Sequence, residues 1–305
     1  MIYEYALEPE LVAGWGDRHA GRYFIEKFGL GHPRVVSRYP RRWKRLVWEA
    51  FGGGNDIERK RLEELIARLS ESMVKRRDLR WNAGAAWLDN AEDEDARVPF
   101  HAIIANTNPR YHGRVLVADD LDHETPLWAC SRGAVVPRMP PAMAAAVAGM
   151  LRVAQVVIFV DPHFGPGQRR HREPLKQFLR TVVDARPCGA PQRIEVHCSA
   201  DGGATESFFR DECQRLLPPI VPPGLQIHLV RLREQAGGER LHNRYILTDL
   251  GGVTLGVGLD GGDAGDSDDV NLLDRAQYEE RWRQYASDPP AFDRPEPSVT
   301  IEGSA

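Results

Sequence analysis

Apolar residues recur three and four positions apart over Tyr23–Phe28, Arg42–Phe51 and Ile57–Val74, which predicts three helices early in the chain. Gly52-Gly53-Gly54-Asn55 separates the last two, and Asp56 stands where a cap belongs, with Glu63, Glu64 and Arg68 on the solvent side. Phe100–Ala105 and Arg114–Ala118 are short aliphatic runs that read as a strand pair. The pattern changes at Arg138-Met139-Pro140-Pro141. Beyond it, strands over Val156–Asp161, Arg193–Cys198 and Leu225–Leu232 alternate with helices over Ala142–Val153, Arg172–Asp184 and Thr205–Leu216. Two further strands, Asn243–Asp249 and Thr254–Gly258, precede a helix at Arg275–Tyr285. This is α/β patterning. It divides the chain into a mainly helical domain over 1–138 with a short strand pair, a mixed sheet flanked by helices over 139–288, and an extended, proline- and charge-rich tail over 289–305.

With 305 residues, 42% hydrophobic and 28% charged, the chain has the make-up of a soluble globular protein. No apolar run approaches the roughly 18 residues of a membrane span, and the first residues lack the features of a secretory leader, so a cytoplasmic protein without a membrane partner is expected. Cys130, Cys188, Cys198 and Cys213 are scattered, which excludes a zinc site or disulfide framework and predicts free thiols. The net charge of −4 conceals an uneven distribution: Arg34 to Arg80 holds 14 Lys and Arg against 7 Asp and Glu, whereas Asp260 to Asp269 is almost purely acidic. Within Arg34–Arg45, basic residues interleave with Tyr39 and Trp43, a combination that neutralises phosphates and stacks bases. Trp43, Leu46, Val47 and Phe51 also fall at helical core spacing, which would leave the basic residues as a solvated face. The acidic loops at Asp119–Glu124 and Asp260–Asp269 lack EF-hand spacing, and neither a metal nor another cofactor is expected.

The densest chemistry lies between Leu241 and Gly258. Alternation along a strand sends His242, Arg244 and Ile246 to one face, placing an imidazole beside a guanidinium. Gly251-Gly252 supplies a tight turn, and Gly256 and Gly258 permit close approach of a ligand or backbone. His242, position 244, Asp249 and Gly256 follow the spacing of the phospholipase D signature, and residues of roughly 145 to 285 resemble one half of that superfamily's fold. The resemblance implies that His242 attacks phosphorus to give a phosphohistidine, that Arg244 holds the non-bridging oxygens, and that Asp249 orients or tunes the histidine. Arg244 stands where the family has lysine, and Val257 and Leu259 where it has serine and asparagine, which leaves the glycine amides as substitute donors.

The family mechanism also needs a second histidine. Either a homodimer brings two copies of His242 together, or His112, Arg114 and Asp119, which repeat the spacing, form a second half-site. Supporting candidates are Asp161 and His163 at the end of the first strand of the sheet, and Arg169 and Arg170 before a helix, where guanidiniums and free amides meet an anion. His197 and Ser199 end the second strand, where a buried, satisfied histidine is the simpler account. The expected function is a metal-independent phosphodiesterase or nuclease, with a phosphodiester, above all nucleic acid, as its substrate. The layout is similar to bacterial phospholipase D-like proteins, some of them linked to phage defence. The alternative is a member that has lost catalysis and serves as a binding or assembly subunit for a protein partner.

Overall fold

The computed structural model describes residues 1–16, 23–24, 26–77, 79–201, 204–287 and 290–304, so the helix expected over Tyr23–Phe28 lies partly outside the described residues. The protein is α/β and divides into two compact units, Ile2–Ser131 with Pro187–Gly189, and Arg132–Arg186 with Ala190–Ala305 and Met1.

The first unit contains β1 (Tyr3–Leu7), α1 (Pro9–Gly14), β2 (Arg34–Val36), α2 (Trp43–Phe51), α3 (Asp56–Ser70), α4 (Trp87–Arg97), β3 (Ala102–Ala105) and β4 (Val115–Val117). Its strands form a four-stranded sheet in the order β2-β1-β3-β4, parallel at every pairing. A helical domain with one strand pair was expected. Parallel strands covered on both faces need continuous apolar runs, and Ala102-Ile103-Ile104-Ala105 is such a run, wholly buried. β1 and β2 span only five and three residues, too short for a periodic signal. One face packs Tyr5, Leu7, Trp43, Leu62 and Trp128, and the other Ala6, Tyr39, Trp87, Phe100 and Val115. Asn55, not Asp56, caps α3: its side chain accepts from the amides of Ile57 and Glu58, while Glu58 accepts in return from the Asn55 amide.

The second unit contains β5 (Gly133–Pro137), α5 (Pro140–Val153), β6 (Val156–Val160), α6 (Arg169–Val183), β7 (Arg193–Ser199), α7 (Glu206–Leu216), β8 (Gln226–Leu232), β9 (Arg244–Thr248), β10 (Gly251–Leu255), β11 (Ser267–Leu272), α8 (Arg275–Ala286) and β12 (Val299–Glu302). Its eight strands run in the order β12-β8-β7-β6-β9-β10-β11-β5, with β6, β7 and β8 parallel and every other pairing antiparallel. β5 pairs with β11 from Gly133 opposite Asn271 onward, so the boundary falls after Ser131 and not at 138. The tail is not merely extended: Val299–Glu302 adds a strand beside β8. The β9–β10 turn is Asp249-Leu250, enclosed by the Thr248–Gly251 pair, two residues before the glycines that were expected to form it. Gly251, at φ +143°, opens β10 instead, and a Cβ on Gly252 would meet Leu247 Cδ2 at 2.7 Å.

This topology gathers several candidate residues at one edge. β6 and β7 end where the antiparallel β9 begins and β10 finishes, so Asp161, Ser199, Arg244 and Gly256 all fall at the same end of the sheet.

Candidate functional site

His242 precedes β9 and is exposed, and its ring makes no hydrogen bond or ion pair among the described residues. Arg244 opens β9 and is half-buried. Its Nε is buried without a partner, and no carboxylate among the described residues pairs with its guanidinium. Farther along the same face Ile246 is wholly buried, so this face runs from the open edge into the core. A guanidinium half withdrawn from water and left unpaired is a costly arrangement that an anion relieves.

Asp249 is not part of this pair. It follows the far end of β9, about 16 Å from Arg244 at roughly 3.3 Å per residue, and its carboxylate accepts from the amides of Gln155 at 2.8 Å and Val156 at 3.1 Å. Burial holds its pKa above the ordinary aspartate value. The expected tuning of the histidine by Asp249 therefore gives way to a structural role, anchoring the start of β6.

Gly256 and Gly258 do lie at the edge, but their neighbourhood is already occupied. Asp268 accepts from the Val257 amide at 3.0 and 3.1 Å and from the Gly258 amide at 3.4 Å, and Asp161 accepts from the Leu259 amide at 2.9 Å. A Cβ on Gly258 would stand 2.7 Å from Asp260 Oδ1 and 3.3 Å from Asp161 Oδ2. The glycines admit carboxylates of the chain itself, and of the two glycine amides expected to receive a phosphate that of Gly258 is spoken for. Asp161, 2% exposed, also accepts from the His163 amide at 3.0 Å, while the His163 side chain is exposed.

Arg169 and Arg170 form the first turn of α6 and are both exposed. Arg169 lies 3.7 Å from Glu173, and Arg170 lies 3.7 Å from Asp260. They line a cleft of about 550 Å³ together with Arg138, Asp260, Asp263 and Asp266. Sequence reasoning took Arg138 only as punctuation before two prolines, yet its Nη2 meets Asp260 Oδ1 at 2.6 Å and fastens the acidic loop.

His171 was also missed, hidden in a basic run. It is 3% exposed, and ligand atoms of Asp161, His171 and Asp260 lie within 4.8 Å of one another, a group that suits a divalent cation by composition. Its geometry argues otherwise. His171 Nδ1 accepts from the Gly165 amide at 3.0 Å, so the neutral ring carries its proton on Nε2, and Arg138 already neutralises Asp260. Burial lowers the His171 pKa against the pull of Asp161 and Asp260, which favours that neutral ring.

The proposed second half-site belongs to the Ile2–Ser131 unit. His112 Nε2 and Arg114 Nε approach Asp95 Oδ2 at 3.9 and 3.7 Å, and Arg114 Nη1 donates to the carbonyls of Phe100 and His101. Asp119 sits past the other end of β4, exposed in a short 3-10 turn. Among the described residues β4 is an edge strand parallel to β3 with no hairpin partner, and no glycine follows it closely, so the repeated spacing does not reproduce the surroundings of His242.

His197 is wholly buried, with Nε2 2.9 Å from Glu195 Oε2, and Ser199 accepts from the Asp201 amide, so both serve the fold. The four cysteines are free thiols, and burial pushes the Cys213 thiol up to about 12. In the basic run the aromatics face inward: Trp43 Nε1 donates to the Leu7 carbonyl at 2.7 Å and the Tyr39 hydroxyl to the Asn90 carbonyl at 2.7 Å. Arg34 is buried too, with its guanidinium 4.1 Å from the Trp128 ring centre. Stacking of bases on Tyr39 or Trp43 is therefore excluded.

No family model matches the sequence, and no curated protein matches it. Among solved structures, TrmBL2, an archaeal chromatin protein described as showing a novel mode of DNA binding, is similar over 80% of this chain and 80% of its own, at 10% identity and a TM-score of 0.26. A likeness of that size carries no argument. Among the described residues, no helix is long and apolar enough to cross a membrane.

Proposed function

We propose that the Arg132–Ala305 unit is a phospholipase D-like phosphodiesterase acting without metal, with His242 as nucleophile and Arg244 as the phosphate-holding cation. One observation carries this reading: an exposed, uncommitted imidazole stands two residues from a half-buried guanidinium with no partner, at the edge where β6 and β7 end. In the first step a ring nitrogen of His242 attacks phosphorus. A P–N bond forms, a P–O bond breaks, and the leaving oxygen takes a proton from a second acid, which the family precedent assigns to His242 of a second copy. Water then displaces the histidine and regenerates it. Arg244 offsets charge on the non-bridging oxygens throughout. The setting proposed is cytoplasmic, with nucleic acid as the substrate class and phage defence as the context.

A second reading, a non-cleaving subunit that recognises a phosphodiester or a protein partner, is favoured by the filled amides at Val257, Gly258 and Leu259. Hydrolysis of bis(4-nitrophenyl) phosphate separates the two. Release of nitrophenolate that survives EDTA and is lost in His242→Ala supports the enzyme. Phosphate binding without turnover supports the subunit. Turnover that EDTA abolishes and His242→Ala preserves overturns the site.

A further inference from the structure

The Ile2–Ser131 unit carries a cationic surface that the reading of His242 does not use. Three separate segments build it. Ser37 bridges Val74, and the Arg38 amide donates to the Val74 carbonyl at 2.8 Å, which brings Arg38 next to Lys75. Arg38 Nε donates to the Arg41 carbonyl at 2.8 Å and fixes the turn into α2. The Tyr39 hydroxyl, shared between the Asn90 carbonyl at 2.7 Å and the Arg80 carbonyl at 3.0 Å, and Arg42, 5.6 Å from the Trp81 ring centre, add the third segment.

Arg38, Arg41, Arg42, Lys75 and Arg80 are exposed and Lys44 is half-buried, and none of them pairs with a carboxylate among the described residues. Burial, together with the charges of Arg38 and Lys75, lowers the Lys44 pKa, as like charges crowded together do. An anion lifts that cost.

The chemistry of the surface narrows the partner. Guanidiniums predominate, and their fork matches phosphate oxygens. Tyr39 and Trp43 are buried, and the half-buried Trp81 is a single ring already faced by Arg42, so no run of rings awaits the bases of a single strand. The exposed large apolar residues of this unit, Tyr23, Ile57 and Tyr111, lie outside the three segments, so nothing here inserts into a lipid surface.

We propose that this surface binds double-stranded nucleic acid through its phosphate backbone, without reading sequence. It rests on residues other than those of the His242 reading and stands if that reading fails.

Fluorescence anisotropy with the full chain tests it, using a short labelled DNA duplex, the RNA duplex of the same sequence and each single strand. With about four phosphate contacts, duplex affinity falls roughly 100-fold between about 50 and 200 mM salt. Arg41→Glu/Arg42→Glu weakens duplex binding at least about tenfold, whereas Lys60→Glu/Arg61→Glu, an equal charge change at exposed positions of α3, stays within about threefold. Arg41→Gln/Arg42→Gln, matched to the parent by circular dichroism, gives the same direction if the reversal variant does not fold. Unaltered binding in the folded variant, a preference for single strands, or binding only to anionic vesicles or polyglutamate overturns the proposal, and the DNA and RNA arms decide which duplex is held.

Discussion

Arg244 and Asp249 stand at opposite ends of β9, the first at the open edge of the sheet and the second bonded to the amides of Gln155 and Val156. A signature that brings the two within five positions in sequence thus serves two purposes. Asp249→Ala strands two amides and is expected to cost about 1–3 kcal/mol, read by urea unfolding. Asp249→Asn keeps an acceptor and costs less. Phosphate affinity at Arg244 stays unchanged in both, and a variant of full stability with altered affinity would contradict the division.

Asp268 holds the amides that follow β10. Asp268→Ala frees those of Val257 and Gly258, and inorganic phosphate, titrated calorimetrically, is expected to bind about tenfold more tightly, the equivalent of about 1.4 kcal/mol. Affinity equal to or below that of the parent would show that these amides do not face the anion.

Acid should weaken the Ile2–Ser131 unit through His101. Burial lowers its pKa to about 4 against an ordinary 6.5, with Nε2 3.0 Å from the Leu127 carbonyl. The unfolded chain binds the proton more readily, so this contribution to stability is complete above pH 6.5 and is lost as the pH falls towards about 4. Thermal melts across that window should fall less steeply for His101→Gln than for the parent. Parallel curves would exclude the histidine as the cause.

Arg76 ties β1 to α4. It is wholly buried, grips Glu4 at 2.8 and 2.9 Å and meets Glu94 at 3.2 Å. Arg76→Met leaves the buried Glu4 carboxylate uncompensated and Glu94 with Arg97 as its remaining cation, and a loss of about 3–5 kcal/mol is expected in denaturant unfolding. Glu4→Gln/Glu94→Gln in the same background should recover part of it.

Much of the second unit was legible because β6 is a continuous apolar run, β7 and β8 carry apolar residues largely at alternate positions, and amphipathic helices separate the three. β11 was not, since Ser267-Asp268-Asp269 reads as an acidic loop until its alternating burial is seen. β1 and β2 were lost to brevity, and they turned an expected helical domain into a parallel sheet. At the site, His242 and Arg244 lie together at the start of β9. Sequence reasoning misjudged the glycines, because glycine reports only that something approaches closely, and here that something is Asp268, Asp161 and Asp260. Arg138 escaped because its partner Asp260 lies 122 positions away, and His171 because its partner is a backbone amide in the turn before its helix, contacts that no side-chain pattern encodes.

The central claim, that His242 becomes covalently phosphorylated, is tested most directly by rapid quenching of the protein with a diester under phosphoramidate-preserving alkaline conditions, followed by peptide mass spectrometry. The account predicts a phosphoryl adduct on the peptide containing His242, absent from His242→Ala and unaffected by EDTA. Turnover with no adduct on that peptide, or an adduct that persists in His242→Ala, would contradict it.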